Sequence, residues 1–283
     1  QETKCENLQK RFRNFVVNWS KKKYKTLDPQ LLHDFMLYAN TFKSDMEIHM
    51  WTAHLALKLK NLNAATEFYI RTAQLAKNKS DAHSLEGALL GEIEAAEQTQ
   101  NTTMQIKAYD HYLAELPQGK KVHEVKYLKA KALYEQKNYK AAADIFTSVA
   151  LTPSVDTDMR LKSADLAIDS LALLKDNQTM EILSRQFAQT FPQRSQEYLS
   201  NSRKASLKIS AAVLASDRES NSDLRKEEER LQKLNMMGAT SSERIKILKT
   251  RLALAQKLQN LTQISIIATM LLKEKELKAN NKN

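Results

Sequence analysis

Glycine and proline are nearly missing. The chain has 283 residues but only 4 of each, where average usage would supply about 20 glycines and about 14 prolines. Sheet proteins need these residues at turns and bulges, and phosphate-cradling loops need glycine for close backbone approach. Their scarcity, beside abundant Ala, Leu, Lys, Gln and Glu, excludes most β and open α/β architectures and leaves an all-α chain. The single cysteine, Cys5, permits no internal disulfide. That suits a reducing compartment, or a bacterial envelope protein that does without disulfides. No run of 18 apolar residues occurs, so no transmembrane helix is expected, and "ISIIATMLL" has the length of a core-helix stretch.

Catalytic signatures are missing as well. There is no GxSxG, no phosphate loop and no HExxH. The histidines are His33, His49, His54, His83, His111 and His123. His49 and His54 stand five apart, a spacing that does not stack two metal ligands on one helix face. The expectation is a chain that is not an enzyme and holds no cofactor or metal. Five Asn-x-Ser/Thr triplets, at Asn18, Asn78, Asn101, Asn177 and Asn260, matter only in a eukaryotic secretory setting.

What is present is basic charge, unevenly placed. The formal net charge is +11: residues 1–60 carry a net +5, residues 61–200 a net −2 and residues 201–283 a net +8. "SKKKYK", from Ser20 to Lys25, is the densest run. Basic ends suit contact with nucleic acid or an anionic membrane surface. A solvated helix end, where lysines also favour the helix dipole, is the plainer account, because the run is short and has no arginine.

Hydrophobic spacing is helical throughout. "CENLQKRFRNFVVNWSKKK" sets Leu8, Phe12, Phe15, Val16 and Trp19 on one stripe with a basic opposite face. In "LDPQLLHDFMLYANTF", Asp28 is an N-cap, Pro29 a first helical residue, and Leu32, Phe35, Met36 and Ala39 the buried stripe. Ser44-x-x-Glu47 reads as a capping box, as does Thr240-x-x-Glu243. Helices follow over about 81–98, 104–116, 158–174 and 179–190, separated by polar breaks such as "TQNTT", "EQKN" and "KDN". The recurring unit is helix, short turn, helix, slightly longer linker, which marks a helical repeat. Ala65, Ala108, Ala142 and Met180 are the expected close contacts of the second helices. Gly87-x-x-x-Gly91 reads as a place where a neighbouring helix approaches. Beyond residue 200, Leu224, Leu231 and Leu234 mark a charged helix. The stripes Ile245, Leu248, Leu252, Ala255 and Ile264, Ile267, Ala268, Leu271 mark a last hairpin, and the tail "KEKELKANNKN" should fray.

Within "YLKAKALYEQKNYKAAADIF", from Tyr127 to Phe146, the chain resembles a tetratricopeptide repeat. Ala142, Phe146 and Val149 match that family's second-helix pattern, Tyr139 its leading aromatic and Ala130 the small residue of its first helix. Ala65, Tyr69 and Thr72 match again, as do Ala108 and Tyr112. Lys126 and Lys129 depart from the pattern, standing where large apolar residues are usual. "QFAQTFPQ" is similar to the closing segment of repeats in bacterial envelope proteins, which favours the periplasm or cell envelope over the cytoplasm. The resemblance implies an all-α, right-handed superhelical solenoid of antiparallel helix hairpins with extra helices at both ends. The expected division is residues 1–43, N-terminal helices; 44–192, repeats; and 193–283, C-terminal helices with a diverged hairpin.

The resemblance also implies a concave face built from the first helix of each pair. Carried onto this sequence it comprises Glu47, Met50 and His54; Leu90, Ile93 and Glu97; Tyr127, Lys131 and Tyr134; and Lys162, Asp165 and Asp169. Its mixture of aromatic and charged groups suits protein recognition. The expected activity is that of a non-catalytic scaffold binding a protein or peptide, the alternative being nucleic-acid or anionic-membrane binding through the basic ends.

Overall fold

The computed structural model describes residues 4–23, 28–216 and 218–280. Among them are fourteen α-helices and no strand. The all-α expectation holds. The helices are α1 Lys4–Lys23, α2 Pro29–Thr41, α3 Met46–Lys58, α4 Leu62–Asn78, α5 Ala82–Gln98, α6 Thr102–Glu115 and α7 Val122–Glu135, then α8 Tyr139–Ala150, α9 Thr157–Leu174, α10 Asn177–Thr190, α11 Ser195–Ala215, α12 Asn221–Gln232, α13 Ser241–Lys257 and α14 Leu261–Asn280. A short 3-10 turn, Pro192–Arg194, precedes α11. The side chains of Cys5 and of Lys22 to Lys25 lie outside the described residues, and with them most of the basic run "SKKKYK".

The chain divides into two compact units, Gln1–Asn138 and Tyr139–Asn283. The boundary falls inside the stretch assigned to repeats, immediately after "EQKN", so α7 and α8 belong to different units. Within each unit every helix packs on the next in sequence.

A chain with so little glycine turns by another route. Lys60, Ser80, Gln100, Lys137, Lys175 and Gln259 all take left-handed backbone angles, with φ between 55° and 62°. Each is followed by Asn or Asp. The N–H groups of Asn61, Asp81, Asn138, Asp176 and Asn260 return to the carbonyls of Ala56, Ala76, Leu133, Leu171 and Ala255, closing the preceding helix in a Schellman-type end. The side chains of Asn61, Asp81, Asn101, Asp176 and Asn260 then accept N–H groups of the next helix. One residue thus ends a helix and the following one starts another. Asn101 and Asn260, both within Asn-x-Thr triplets, are caps. Three such breaks, each of three residues, separate α3 from α4, α4 from α5 and α5 from α6, so the expected alternation of short turn and longer linker is not found there.

Local expectations fare unevenly. Asp28 caps α2 with Pro29 in its first turn, and Thr240 and Glu243 form a capping box on α13. Ser44, by contrast, caps nothing. The α3 cap is Asp45, whose carboxylate accepts the Ile48 N–H. A box not expected from sequence, Ser220 with Asp223, starts α12. On α1, Val16 is buried and Phe12 and Trp19 pack against the core, but Leu8 and Phe15 face outward. The tail expected to fray is helical through Asn280.

In the first unit, Phe35, Tyr38, Ile48, Phe68 and Tyr69 centre one core, and Leu89, Tyr109, Tyr112 and Val125 another. In the second unit, the rings of Phe187, Phe191 and Tyr198 stand 5.7 to 6.2 Å apart, while Leu224, Leu231, Ile247 and Leu254 fill the C-terminal end. Charge is buried there too. Arg203, 1% exposed, donates to Glu243 and to the backbone carbonyls of Asn235 and Met237. Arg230 joins the buried Glu181 and Glu227, and Arg251 donates to Glu228 at 2.7 Å.

Candidate functional site

A large cleft in the first unit opens between α3 and α5. It encloses about 510 Å³ and is lined by His54, Leu57 and Lys58 of α3, Tyr69 of α4, and Gly87, Leu90, Gly91 and Glu94 of α5. On α5 those four residues fall at i, i+3, i+4 and i+7, one continuous helix face. The two glycines differ in role. A Cβ on Gly91 would stand 2.3 Å from the Tyr69 ring, so glycine is what lets α4 approach α5. A Cβ on Gly87 would meet only the Met50 methyl, at 3.8 Å. The close approach read from Gly87-x-x-x-Gly91 therefore belongs to Gly91 alone.

The His54 and Tyr69 rings meet edge to face, 5.6 Å between centroids. Burial pushes the His54 imidazole below its ordinary pKa, and the Lys58 charge pushes it further, against a weaker pull from Glu94. Tyr69 is pushed up, chiefly by burial and then by Glu94. At neutral pH the cleft therefore offers a neutral imidazole, a phenol, the apolar Leu57 and Leu90, and one charge of each sign. None of its lining residues is Ser, Thr or Cys. That is a set of groups for holding an apolar side chain between hydrogen-bonding partners. A second cleft of about 300 Å³, lined by Ser20, Leu31, Phe35, Trp51 and Leu55, also borders His54.

The residues expected on a concave face are only partly brought together. His54 and Leu90 line the first cleft, and Met50 stands beside it. Ile93 does not: it is buried in the core with Leu89 and Ala96, because the side of α5 it occupies packs inward. Glu47 is tied to Arg13. Glu97 accepts the Tyr109 hydroxyl at 2.8 Å. On α7, Tyr127 and Tyr134 are half-buried and Lys131 is exposed. In the second unit, Asp165 accepts from Arg194 at 2.6 Å and from the Tyr198 hydroxyl at 2.9 Å, which turns it to a structural use. Lys162 pairs with Asp158, and Asp169 is exposed. Leu57, Lys58 and Glu94 were not foreseen, although a spacing of three or four residues from His54 and from Leu90 points to them. Lys129, one of the two departures from the repeat pattern, reaches Asp110 of α6 at 2.5 Å, so an ion pair stands where an apolar contact is usual.

No protein-family model matches the chain, and no curated protein matches it either. Among solved structures it is similar to the crystal structure of BtubC (BKLC) from P. vanneervenii, with 11% identity and a TM-score of 0.31 over 98% of this chain and 93% of that one. So slight a likeness says nothing further of this chain. No group of three or more His, Cys, Asp or Glu placed to hold a metal ion occurs among the described residues, and no described helix is long and apolar enough to cross a membrane.

Proposed function

We propose that this chain is a non-catalytic protein-binding scaffold of the tetratricopeptide-like kind, its hairpins forming a right-handed solenoid over residues 44–192. The partner is a protein segment held against the first helices of successive pairs. The observation that supports this reading is the α3–α5 cleft, in which an apolar floor is ringed by His54, Lys58 and Glu94. Burial of Ala65, Ala108, Ala142, Phe146 and Val149, the small and aromatic positions of the repeat pattern, agrees with it.

A photo-crosslinking residue placed at Leu90 should capture one discrete protein in the source cells. The same residue at Glu67, exposed on α4, should not. Failure to capture a protein at Leu90, or capture of nucleic acid or lipid there, would overturn the proposal. The basic ends supply the second reading. Binding of RNA, DNA or anionic vesicles that falls steeply with added salt would favour it.

A further inference from the structure

The apolar surface of the second unit is concentrated at its end. Ile266, Met270 and Leu277 of α14 are 44%, 48% and 49% exposed, and at spacings of four and seven they form one stripe along the helix. The stripe does not stand alone on a convex surface. Met270 and Leu277 form one wall of a cleft of about 300 Å³ whose other walls are Leu231 and Met236 from α12 and the segment after it, and Ile247 and Leu248 of α13. Three cations, Arg244, Arg251 and Lys273, line it against one carboxylate, Glu274. Arg244 and Arg251 are fixed in place by Glu274 at 2.8 Å and by Glu228 at 2.7 Å.

We propose that this cleft docks an acidic amphipathic helix of another protein. An apolar channel between packed helices accepts a helix that lays apolar side chains at i, i+3, i+4 and i+7 into it. Met236 and Met270 supply unbranched, adaptable walls of the kind common at such grooves. Lys273, the lining cation left once Arg244 and Arg251 are paired with Glu274 and Glu228, selects the sign of the partner's polar face. A second copy of this chain fits poorly, because it would bring a net +11 to a basic surface. A membrane fits poorly as well, because the walls are concave and Leu261 and Leu272 point away on another side of α14.

The test uses the full chain and a fluorescein-labelled helical peptide of about 15 residues, ~22 Å long, with Leu at the four anchor positions and Glu elsewhere. A control peptide carries Lys in place of Glu. The acidic peptide should bind saturably and more weakly as salt rises, and the basic peptide should bind at least about tenfold more weakly, a difference of ~1.4 kcal/mol. Met270→Asp with Leu277→Asp should abolish binding, and Lys273→Glu alone should weaken it severalfold. The second variant touches no core residue, so a folding defect in the first leaves the idea testable. No binding of the acidic peptide, equal binding of both peptides, or indifference to Lys273→Glu would overturn it. So would binding of phosphatidylserine vesicles, or a concentration-dependent dimer, that the double substitution removes while leaving peptide binding intact.

Discussion

Arg203 shows what a single buried cation does in a helical chain. Its guanidinium reaches two loop carbonyls between α12 and α13 and the carboxylate of Glu243, and Glu243 is also the capping-box residue of α13. Burial alone would push the Glu243 carboxyl up. Hydrogen bonds from Ser200, the Thr240 N–H and Arg203 outweigh it and bring the carboxyl down to about 2. A carboxyl depressed in the folded state contributes stability above its ordinary range, and that contribution is lost as pH falls from the ordinary value of 4.5 towards 2. Urea midpoints measured between pH 7 and pH 2.5 should therefore fall less steeply below pH 4.5 for Glu243→Gln than for the parent. Parallel curves would mean that Glu243 is not so held. Arg203→Lys should cost about 1–3 kcal/mol despite keeping the charge, since one ammonium cannot serve two carbonyls and a carboxylate at once. His111 has the opposite sign. Its hydrogen bond to the buried Glu92, at 2.6 Å, raises the imidazole above its ordinary value, so its contribution is present below about pH 6.5 and fades as pH rises through the raised value. Removing the pair with His111→Ala should flatten that alkaline slope in thermal melts. The two glycines of α5 give a sharper contrast. Gly91→Ala drives a methyl into the Tyr69 ring and should cost about 1–3 kcal/mol. Gly87→Ala makes only an ordinary contact with the Met50 methyl, at 3.8 Å, and should stabilise the helix by up to about 1 kcal/mol. Equal effects in denaturant melts would contradict the α4–α5 packing.

At the scale of the element, the helices were legible from hydrophobic spacing because 3.6-residue periodicity survives wherever one face packs. Their ends were legible where the cap was a residue of strong preference, as at Asp28 and Thr240. Registers were harder to read. Helix α5 packs against α3, α4 and α6, and its buried residues, from Leu85 through Ala88, Leu89 and Ile93 to Ala96, leave only a narrow open face. Apolar spacing alone could not tell the side holding Ile93 from the side holding Gly87 and Leu90. The same happened on α13, where Ile247 and Leu254 fill the core while Leu248 and Leu252 are half-buried. Ser44 lost its place to Asp45 because two good caps adjoin, and the Arg13 and Tyr38 partners that fix Asp45 belong to other helices, Arg13 32 residues away. The left-handed turn residues left no sequence mark by themselves, since Lys, Ser and Gln carry no preference for that conformation. Their signature is the Asn or Asp that follows. Ser80, exposed and at φ 55°, tests the device. Ser80→Gly should stabilise by about 0.5–1 kcal/mol by relieving the left-handed strain, and Ser80→Val should destabilise by about 1–2 kcal/mol. Identical melting of the two variants would show that the turn relaxes to another conformation.

At the scale of the whole molecule, each unit has core clusters of its own. The clusters around Phe35 and around Leu89 lie wholly before residue 138, and the Leu224 to Leu254 cluster wholly after it. A unit of this length can bury enough apolar surface to fold alone. Both tryptophans, Trp19 and Trp51, belong to the first unit, so tryptophan emission reports that unit while far-UV circular dichroism reports every helix. Fragments 1–138 and 139–283, expressed separately, should each be helical and unfold cooperatively in urea. In the intact chain the emission transition should coincide with that of fragment 1–138, and the dichroism transition should be the broader of the two unless the units happen to be equally stable. The fragments resolve that case, because they give each midpoint directly. A fragment 1–138 that binds a hydrophobic dye and loses its near-ultraviolet signal would show that the helices after residue 138 complete its core.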